Sequence, residues 1–160
     1  MKNCILILIA VIAIGFQAEA QQIAKIAIGL RLGDNNGFGT EINYQRGLND
    51  NNRLEFGLSW HDNEGADSFK AIGLFQWLWV LDGNFNWYVG AGGGVGQVNF
   101  DTVPGAPDDE TFLVAAGDIG IEYNFNIPLL LSLDFRPEIG FGNARDDLDF
   151  DIGLGIRYQF

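Results

Sequence analysis

The chain has 160 residues, 48% of them hydrophobic, and its 21 acidic residues outnumber its nine Lys and Arg residues to give a net charge of −12. That charge argues against nucleic acids and anionic membrane surfaces as partners. A mean hydropathy of only +0.08 excludes a bundle of membrane-spanning helices, and the apolar content excludes a disordered acidic chain. The class of protein that remains after these exclusions is a single β domain rich in glycine and aromatic residues.

Residues 1–20 have the composition of a secretory signal peptide. Lys2 supplies the positive charge, residues 5–16 form an apolar run, and Ala18 and Ala20 give the small-x-small cleavage pattern. The run is shorter than the roughly 20 residues of a membrane-spanning helix. We therefore predict cleavage after Ala20 and one domain over residues 21–160. The single cysteine, Cys4, lies in the leader, so the predicted domain has neither disulfides nor thiolate sites.

The remainder of the chain alternates between apolar and polar or small residues with a period of two. The alternating runs cover residues 24–32, 38–45, 53–60, 69–79, 87–96, 113–123, 129–139 and 150–160. Segments rich in Asn, Asp and Gly separate the runs, which is typical of strands joined by turns. The predicted fold class is therefore all-β, an eight-stranded antiparallel up-and-down barrel that follows a cleavable signal peptide.

The two faces of these strands differ in chemistry, because one is apolar and the other carries glycines and charges. A soluble barrel turns its apolar face inward, whereas a transmembrane barrel turns it towards lipid. Glycine beside long charged side chains suits the narrow lumen of eight strands, so the transmembrane arrangement is favoured. The predicted lumen charge network comprises Lys25, Arg31, Glu41, Arg53, Glu55, Asp118, Glu122, Asp134, Arg136, Glu138, Asp151 and Arg157.

Aromatic residues collect at two heights along the predicted strands. Connections near residues 46–52, 81–86 and 124–128 are short, and those near residues 34, 62–67, 97–110 and 143–147 are on average longer and more acidic. Short periplasmic turns and long outer loops are typical of bacterial barrels. The predicted periplasmic girdle is Tyr44, Trp77, Trp79, Trp87, Tyr123, Phe125, Tyr158 and Phe160. The predicted outer girdle is Phe38, Trp60, Phe69, Phe141 and Phe150.

With these features the chain resembles the small eight-stranded outer-membrane barrels of the OmpA/OmpX-like superfamily. Phe160 ends an alternating strand, as in the C-terminal signature that the barrel-assembly machinery recognises. Residues 73–77, 86–92 and 133–138 are similar to a subgroup common in Bacteroidetes-type bacteria. The resemblance implies outer-membrane lipids, lipopolysaccharide and the assembly machinery as partners, and it offers no catalytic residue to carry over.

Motifs for catalysis or ligand binding are weak. His61 with Ser59 or Ser68 suggests a lipid-modifying hydrolase only loosely, since no nucleophile elbow is present. Residues 90–96 lack the G-x-G-x-x-G spacing of a dinucleotide loop. The acidic connections are interpreted as solvated charge in preference to a Ca²⁺ site; they carry Asp34, Asp62, Glu64, Asp67, Asp101, Asp108, Asp109, Glu110, Asp146 and Asp147. We predict no catalytic residue, no cofactor and no metal.

The sequence therefore predicts an outer-membrane protein of the Gram-negative cell envelope with a structural or surface-interaction role, and not an enzyme. A narrow porin or small-solute channel is the first alternative, if Asp134 and Arg136 form a gate and not a buried ion-pair plug. A soluble periplasmic lipid-binding barrel and a lipid A-modifying enzyme that uses His61 are the others. One local choice is open: a bulge in the fourth strand would exchange Leu74 and Phe75 between faces.

Overall fold

The computed structural model describes residues 23–33, 39–63, 66–100, 108–142 and 145–160. The predicted signal peptide lies outside the described residues, as do Phe38 of the predicted outer girdle and the acidic residues Asp34, Glu64 and Asp101. The domain boundary at residue 20 therefore stays a prediction, because the described residues begin at residue 23. Within the described part of the chain, no helix is both long enough and apolar enough to span a membrane.

Eight antiparallel strands follow one another around a closed barrel, and the first strand pairs with the last. This confirms the predicted all-β, eight-stranded antiparallel fold. Their bounds are β1 Ile26–Leu32, β2 Thr40–Gly47, β3 Asn52–Asn63, β4 Ala66–Asp82, β5 Phe85–Phe100, β6 Glu110–Asn124, β7 Leu129–Phe141 and β8 Leu148–Gln159. Closure removes the exposed edges that an open sheet of alternating apolar strands would present.

The connections define two ends of the barrel. Residues 48–51, 83–84 and 125–128 form what we call the short-turn end, and the opposite end, where β1, β3, β5 and β7 finish, is the loop end. At the short-turn end, Gly83 takes a φ of 51°, a left-handed conformation that glycine adopts without the strain of a Cβ. At the loop end, residues 62–67 were predicted to form a connection.

That prediction is wrong for most of residues 62–67. Strands β3 and β4 continue to the last described residues of their hairpin, where Asp62 pairs with Asp67 and Asn63 with Ala66. Asp and Gly are poor strand formers, which makes this segment look like a loop in the sequence. Its backbone nevertheless has strand partners, because β5 extends just as far and pairs Phe100 with Ala66.

Strand β4 keeps its alternation through the position that the sequence left open. Leu74 is buried at 2% exposure and faces inward, whereas Phe75 lies on the outer face. The register irregularity of the β4–β5 pair lies instead between Val80 and Asp82, beside the tight turn at Gly83. The predicted faces of the fourth strand are therefore those of the structure.

The interior of the barrel is not uniformly polar. Towards the loop end, an apolar cluster consists of Ile72, Leu74, Phe112, Val114 and Ala116. The ring of Phe112 lies over Gly96 of the neighbouring strand, and a Cβ at Gly96 would overlap that ring. Glycines on the inner face of β5 thus leave the volume that this apolar cluster fills.

Candidate functional site: the charged interior

The interior contains the charged residues that alternation placed on one face. Of the predicted lumen network, eleven residues are buried: Arg31, Glu41, Arg53, Glu55, Asp118, Glu122, Asp134, Arg136, Glu138, Asp151 and Arg157. They come from six of the eight strands and meet because a narrow barrel brings all its inner faces within side-chain reach. Charges buried in this way require partners, so their pairing determines what the interior can do.

Lys25 is the exception among the predicted lumen charges and needs correction. It precedes β1, which begins at Ile26, and its side chain is exposed at the short-turn end. Alternation assigns it to the inner face, but the barrel wall does not extend far enough to enclose it. Lys70 of β4 is a lumen cation that the predicted network does not include. It lies on the same inner face as Gln76 and is only 2% exposed.

Glu55 lies at the centre of the largest group of ion pairs. Its carboxylate accepts from Arg136 Nη2 at 2.8 Å and contacts Arg157 Nη2 at 3.3 Å. Arg136 also donates to Glu41 at 3.1 Å, so one guanidinium joins two carboxylates from different strands. Gln45 donates a further hydrogen bond to Glu55 at 2.5 Å. Strands β2, β3, β7 and β8 are thus connected through side chains across the lumen.

A second group joins β1 to β7 and β8. Arg31 donates to Asp134 from Nε at 2.9 Å and to Asp151 from Nη1 at 2.5 Å. The neighbouring Gly153 provides the space, because a Cβ there would overlap the Arg31 guanidinium. The alternation of glycine and arginine across the closing seam of the barrel is therefore a packing requirement as well as an electrostatic one.

The third group lies nearer the short-turn end. Arg53 donates to Glu122 at 2.7 Å and to Gln76 Oε1 at 2.6 Å, and its guanidinium stands 4.8 Å from the centre of the Tyr88 ring. Asn86 donates to Glu122 at 3.1 Å. The amide and aromatic side chains here contact Arg53 and Glu122. An inspection of the sequence that is limited to charged residues does not find these partners.

At the loop end, Lys70 Nζ lies 2.9 Å from Glu138. Arg145, from the connection after β7, approaches the same carboxylate at 3.4 Å and also pairs with Asp149. Ion pairs therefore cross the lumen near its opening at the loop end as well as at its centre.

Little space remains between these side chains. The cavity that enters the barrel at the short-turn end, beside Arg53 and Glu122, has a volume of about 10 Å³. That is about the volume one water molecule needs. The side chains around this cavity fill most of the space there, and ion pairs link strands across the lumen.

The serine and histidine residues considered for hydrolysis lie on β3 and β4, towards the loop end. Ser59 is 1% exposed and lies inside the barrel, out of reach of a lipid substrate. His61 lies opposite Ser68 in the β3–β4 register, near the loop end. Across the described residues, no group of three or more His, Cys, Asp or Glu side chains is placed to hold a metal ion.

The described aromatic side chains of the two predicted girdles lie on the outer wall, some near the short-turn end and the others near the loop end. At the short-turn end, Trp79 stacks on Trp87 with ring centres 4.6 Å apart, and Tyr158 contacts Phe160 at 4.9 Å. At the loop end, Trp60 pairs in register with Phe69. The exposed members are Trp60, Phe69, Trp77, Phe141, Phe150, Tyr158 and Phe160, while Tyr44, Trp79, Trp87, Tyr123 and Phe125 are half-buried.

Comparison with known proteins gives a likeness of fold. No family model and no curated protein sequence matches the chain. Among solved structures, the N-terminal β-barrel domain of Pseudomonas aeruginosa OprF has a TM-score of 0.68 at 14% identity and covers 88% of this chain and 100% of its own. Neisserial surface protein A has a TM-score of 0.62 at 13% identity, covering 84% of this chain and 94% of its own.

The attachment invasion locus protein Ail of Yersinia pestis has a TM-score of 0.55 at 15% identity, covering 84% of this chain and 96% of its own. All three are small outer-membrane barrels, and the likeness extends over almost their whole length. At these identities the comparison establishes the architecture of the chain. The fold is that of the small eight-stranded outer-membrane barrels.

Proposed function

We propose that the chain is an integral outer-membrane β-barrel of a Gram-negative bacterium, exported with its leader, with a structural or surface-interaction role. The outer wall carries the apolar side chains and the inner wall the charges, which is the reverse of a soluble domain. In β8, Ile152, Leu154 and Ile156 are exposed at 65%, 47% and 46%. Between them on the chain, Gly153 and Gly155 face a lumen of paired charges.

This inverted distribution is the observation that carries the proposal. An exposed apolar surface around the whole barrel destabilises a protein in water but matches the hydrocarbon core of a membrane. The soluble periplasmic lipid-binding barrel requires the opposite arrangement, with an apolar lumen large enough for a ligand. The charged and filled interior of this barrel therefore argues against that alternative.

The test is fractionation of bacteria that express the full chain, followed by SDS gel electrophoresis with and without boiling. We expect the protein in the outer-membrane fraction, with a different mobility before boiling because a closed barrel resists the detergent. A periplasmic protein with one mobility would overturn the proposal. Mass determination of the purified protein checks in addition whether the chain begins at Gln21.

The filled lumen also favours the interpretation of the lumen charges as a plug, in preference to the gate of a pore. Arg136 is joined to Glu41 and Glu55 within the lumen, and an ion crossing at this level would have to break both contacts. In planar bilayers we expect no steady conductance from the purified protein. Reproducible channels that disappear on Arg136 substitution would instead support the small-solute channel.

For the loop end we propose contacts with the outer surface of the envelope. Its exposed acidic residues are Asp62, Asp67, Asp108, Asp109, Asp146 and Asp147. Ail has been solved with the heparin analogue sucrose octasulfate, a polyanion. Like charges repel, so we expect immobilised heparin not to retain this barrel, whereas divalent cations can bridge its carboxylates to lipopolysaccharide phosphates. Retention on heparin at physiological salt would contradict this.

We further propose that β8 is the strand recognised during barrel assembly and that the chain falls in the Bacteroidetes-type subgroup of these barrels. The outer face of β8 is apolar throughout, and Phe160 is 68% exposed. Replacing Phe160 by Ala should lower the yield of assembled barrel, measured as the heat-modifiable fraction in outer membranes. An unchanged yield would remove Phe160 from the recognition signal.

A further inference from the structure

A cleft at the short-turn end combines exposed cationic side chains with apolar ones, outside the charged lumen. It has a volume of about 650 Å³ and lies between the residues that precede β1, the end of β2 and the turn that follows it. Lys25 and Arg46 line it together with the apolar side chains Ile23, Leu48 and Phe160. That volume falls within the range of small-ligand sites in proteins.

The two cations of this cleft are unusual in this acidic chain. Of its nine Lys and Arg residues, Lys2 lies in the predicted leader and five are buried in the lumen. Arg145 pairs with Glu138 and Asp149. Lys25 and Arg46 are exposed, and neither forms a salt bridge with another described residue.

These two residues lie on neighbouring segments of the chain at the same rim of the barrel. Gly47 donates its backbone hydrogen bond to the carbonyl of Lys25 at 3.1 Å, and Arg46 pairs with Ile26 in the β1–β2 register. Phe160 donates to the carbonyl of Ile26 at 2.8 Å, which places its ring on the same rim. Leu48 and Phe160 are 48% and 68% exposed and supply an apolar wall beside the charges.

We propose that this cleft binds a phospholipid from the inner leaflet of the outer membrane through its phosphodiester group. Lys25 and Arg46 would be the donors to the phosphate oxygens. The proposal rests on the proposed function, which places this end at the periplasmic surface of the membrane. Two cations give a phosphate charge-assisted hydrogen bonds, and the long side chains reach the interface from an apolar surround. Asp50 also lines the cleft, which favours a singly charged phosphodiester over a doubly charged phosphomonoester.

The experiment is native mass spectrometry of the barrel released from a maltoside detergent and titrated with dioleoylphosphatidylethanolamine. Dioleoylglycerol, which has the same acyl chains without the phosphate, is the second ligand, and excess inorganic phosphate is the competitor. We expect phosphatidylethanolamine adducts that dioleoylglycerol does not reproduce and that phosphate does not displace. Equal binding of dioleoylglycerol would show an apolar cleft alone, and displacement by phosphate would show an anion site in place of a lipid site; either result overturns the proposal.

Variants test the two donors. Lys25→Gln with Arg46→Gln should weaken the phosphatidylethanolamine adduct at least tenfold, and Lys25→Arg with Arg46→Lys should retain it because both charges remain. Asp82→Asn, an exposed change at the same end but outside the cleft, is the matched control and should leave binding unchanged. Wild-type affinity in the double glutamine variant would refute the assignment.

Folding and membrane insertion are measured separately on every variant by the heat-dependent gel shift. A wild-type chain found in the periplasm would contradict the proposed function, whereas a folded membrane barrel without lipid adducts would contradict only the site.

Discussion

At the scale of single residues, glycine and arginine form complementary pairs inside this barrel. Gly29 lies opposite Arg157 in the β1–β8 register, and a Cβ at Gly29 would overlap the backbone carbonyl oxygen of Ile156. Gly153 leaves the corresponding space for Arg31. The glycines that separate charges in the sequence therefore have a steric role, which is to let large guanidinium groups lie flat across a narrow lumen.

Gly29→Ala should destabilise the barrel by about 1–3 kcal/mol, because the added methyl group meets backbone that cannot rotate away. Gly73→Ala is the matched control on the outer face, where the nearest atom to a new Cβ is Phe56 Cε1 at 3.5 Å. Urea unfolding in lipid vesicles, followed by tryptophan fluorescence, measures both. Equal unfolding midpoints for the two variants would contradict the steric role of Gly29.

Arg136→Met should be the most damaging substitution in the lumen. It leaves the Glu41 and Glu55 carboxylates without their shared partner, and breaking a buried ion pair costs about 3–5 kcal/mol. Arg46→Met removes an exposed guanidinium and should cost no more than about 1 kcal/mol. The same unfolding assay compares them, and a small effect of Arg136→Met would mean that water reaches these carboxylates.

Period-two alternation could place the lumen charges in advance, because each charged residue occupies the inner parity of a regular strand. It could not identify their partners: Arg31 and Asp134 are 103 positions apart, and their contact depends on barrel closure. The same reasoning misplaced Lys25, since parity says nothing about where the wall ends. It also missed the inward Phe112, whose place depends on the space above Gly96 in another strand.

At the scale of elements, the strands are of unequal length. Strands β4, β5 and β6 have 17, 16 and 15 residues, whereas β1 and β2 have seven and eight. A strand of β4's length rises roughly 40 Å at about 3.3 Å per residue and 45° tilt, more than the apolar band of about 25 Å. The residues of the β3–β4 tip, Asp62 and Asp67, are accordingly polar. Sequence composition located this polar segment but not its strand pairing, which depends on β5.

Leu133→Arg tests which wall of β7 faces lipid. Leu133 is 49% exposed on the outer face and pairs with Ile121 and Leu154 on the neighbouring strands. An arginine near the bilayer midplane costs about 2–4 kcal/mol, and one near the interface about 0–1 kcal/mol. Ile127→Arg, in the short turn between β6 and β7, is the interfacial control. Equal effects in vesicles would mean that Leu133 does not meet the hydrocarbon.

At the scale of the whole molecule, closure of the barrel is what gives the charges their partners. The β1–β8 pairing brings Ile28 opposite Tyr158 and Leu30 opposite Ile156. Without that seam, Arg31 would lose both Asp134 and Asp151, which lie on the strands beyond it. Lumen packing and closure therefore stabilise each other.

Replacing Ile28 and Tyr158 by cysteine in a Cys4→Ser background should yield an intramolecular disulfide across the seam. Directly opposed residues of antiparallel strands have Cα atoms about 4.5–5.5 Å apart, within the range that a disulfide bridges. We expect a changed gel mobility of the boiled, unreduced protein that reduction reverses. Ile28→Cys with Phe141→Cys, which are not paired, is the control. Failure of the first pair to crosslink in the folded barrel would exclude the described seam.

The ion pairs also bear on how such a chain changes during evolution. In a membrane barrel, most of the outer wall between the aromatic girdles requires only apolar side chains, so the identities of those residues are weakly constrained. A lumen residue such as Arg31 is tolerated only while Asp134 and Asp151 remain near it, so changes inside must occur as coordinated exchanges on distant strands. Descendants of one ancestral barrel can thus lose nearly all shared identity and keep the architecture. Among relatives of this chain, the record of their common origin is then expected in covarying lumen pairs and not in invariant positions.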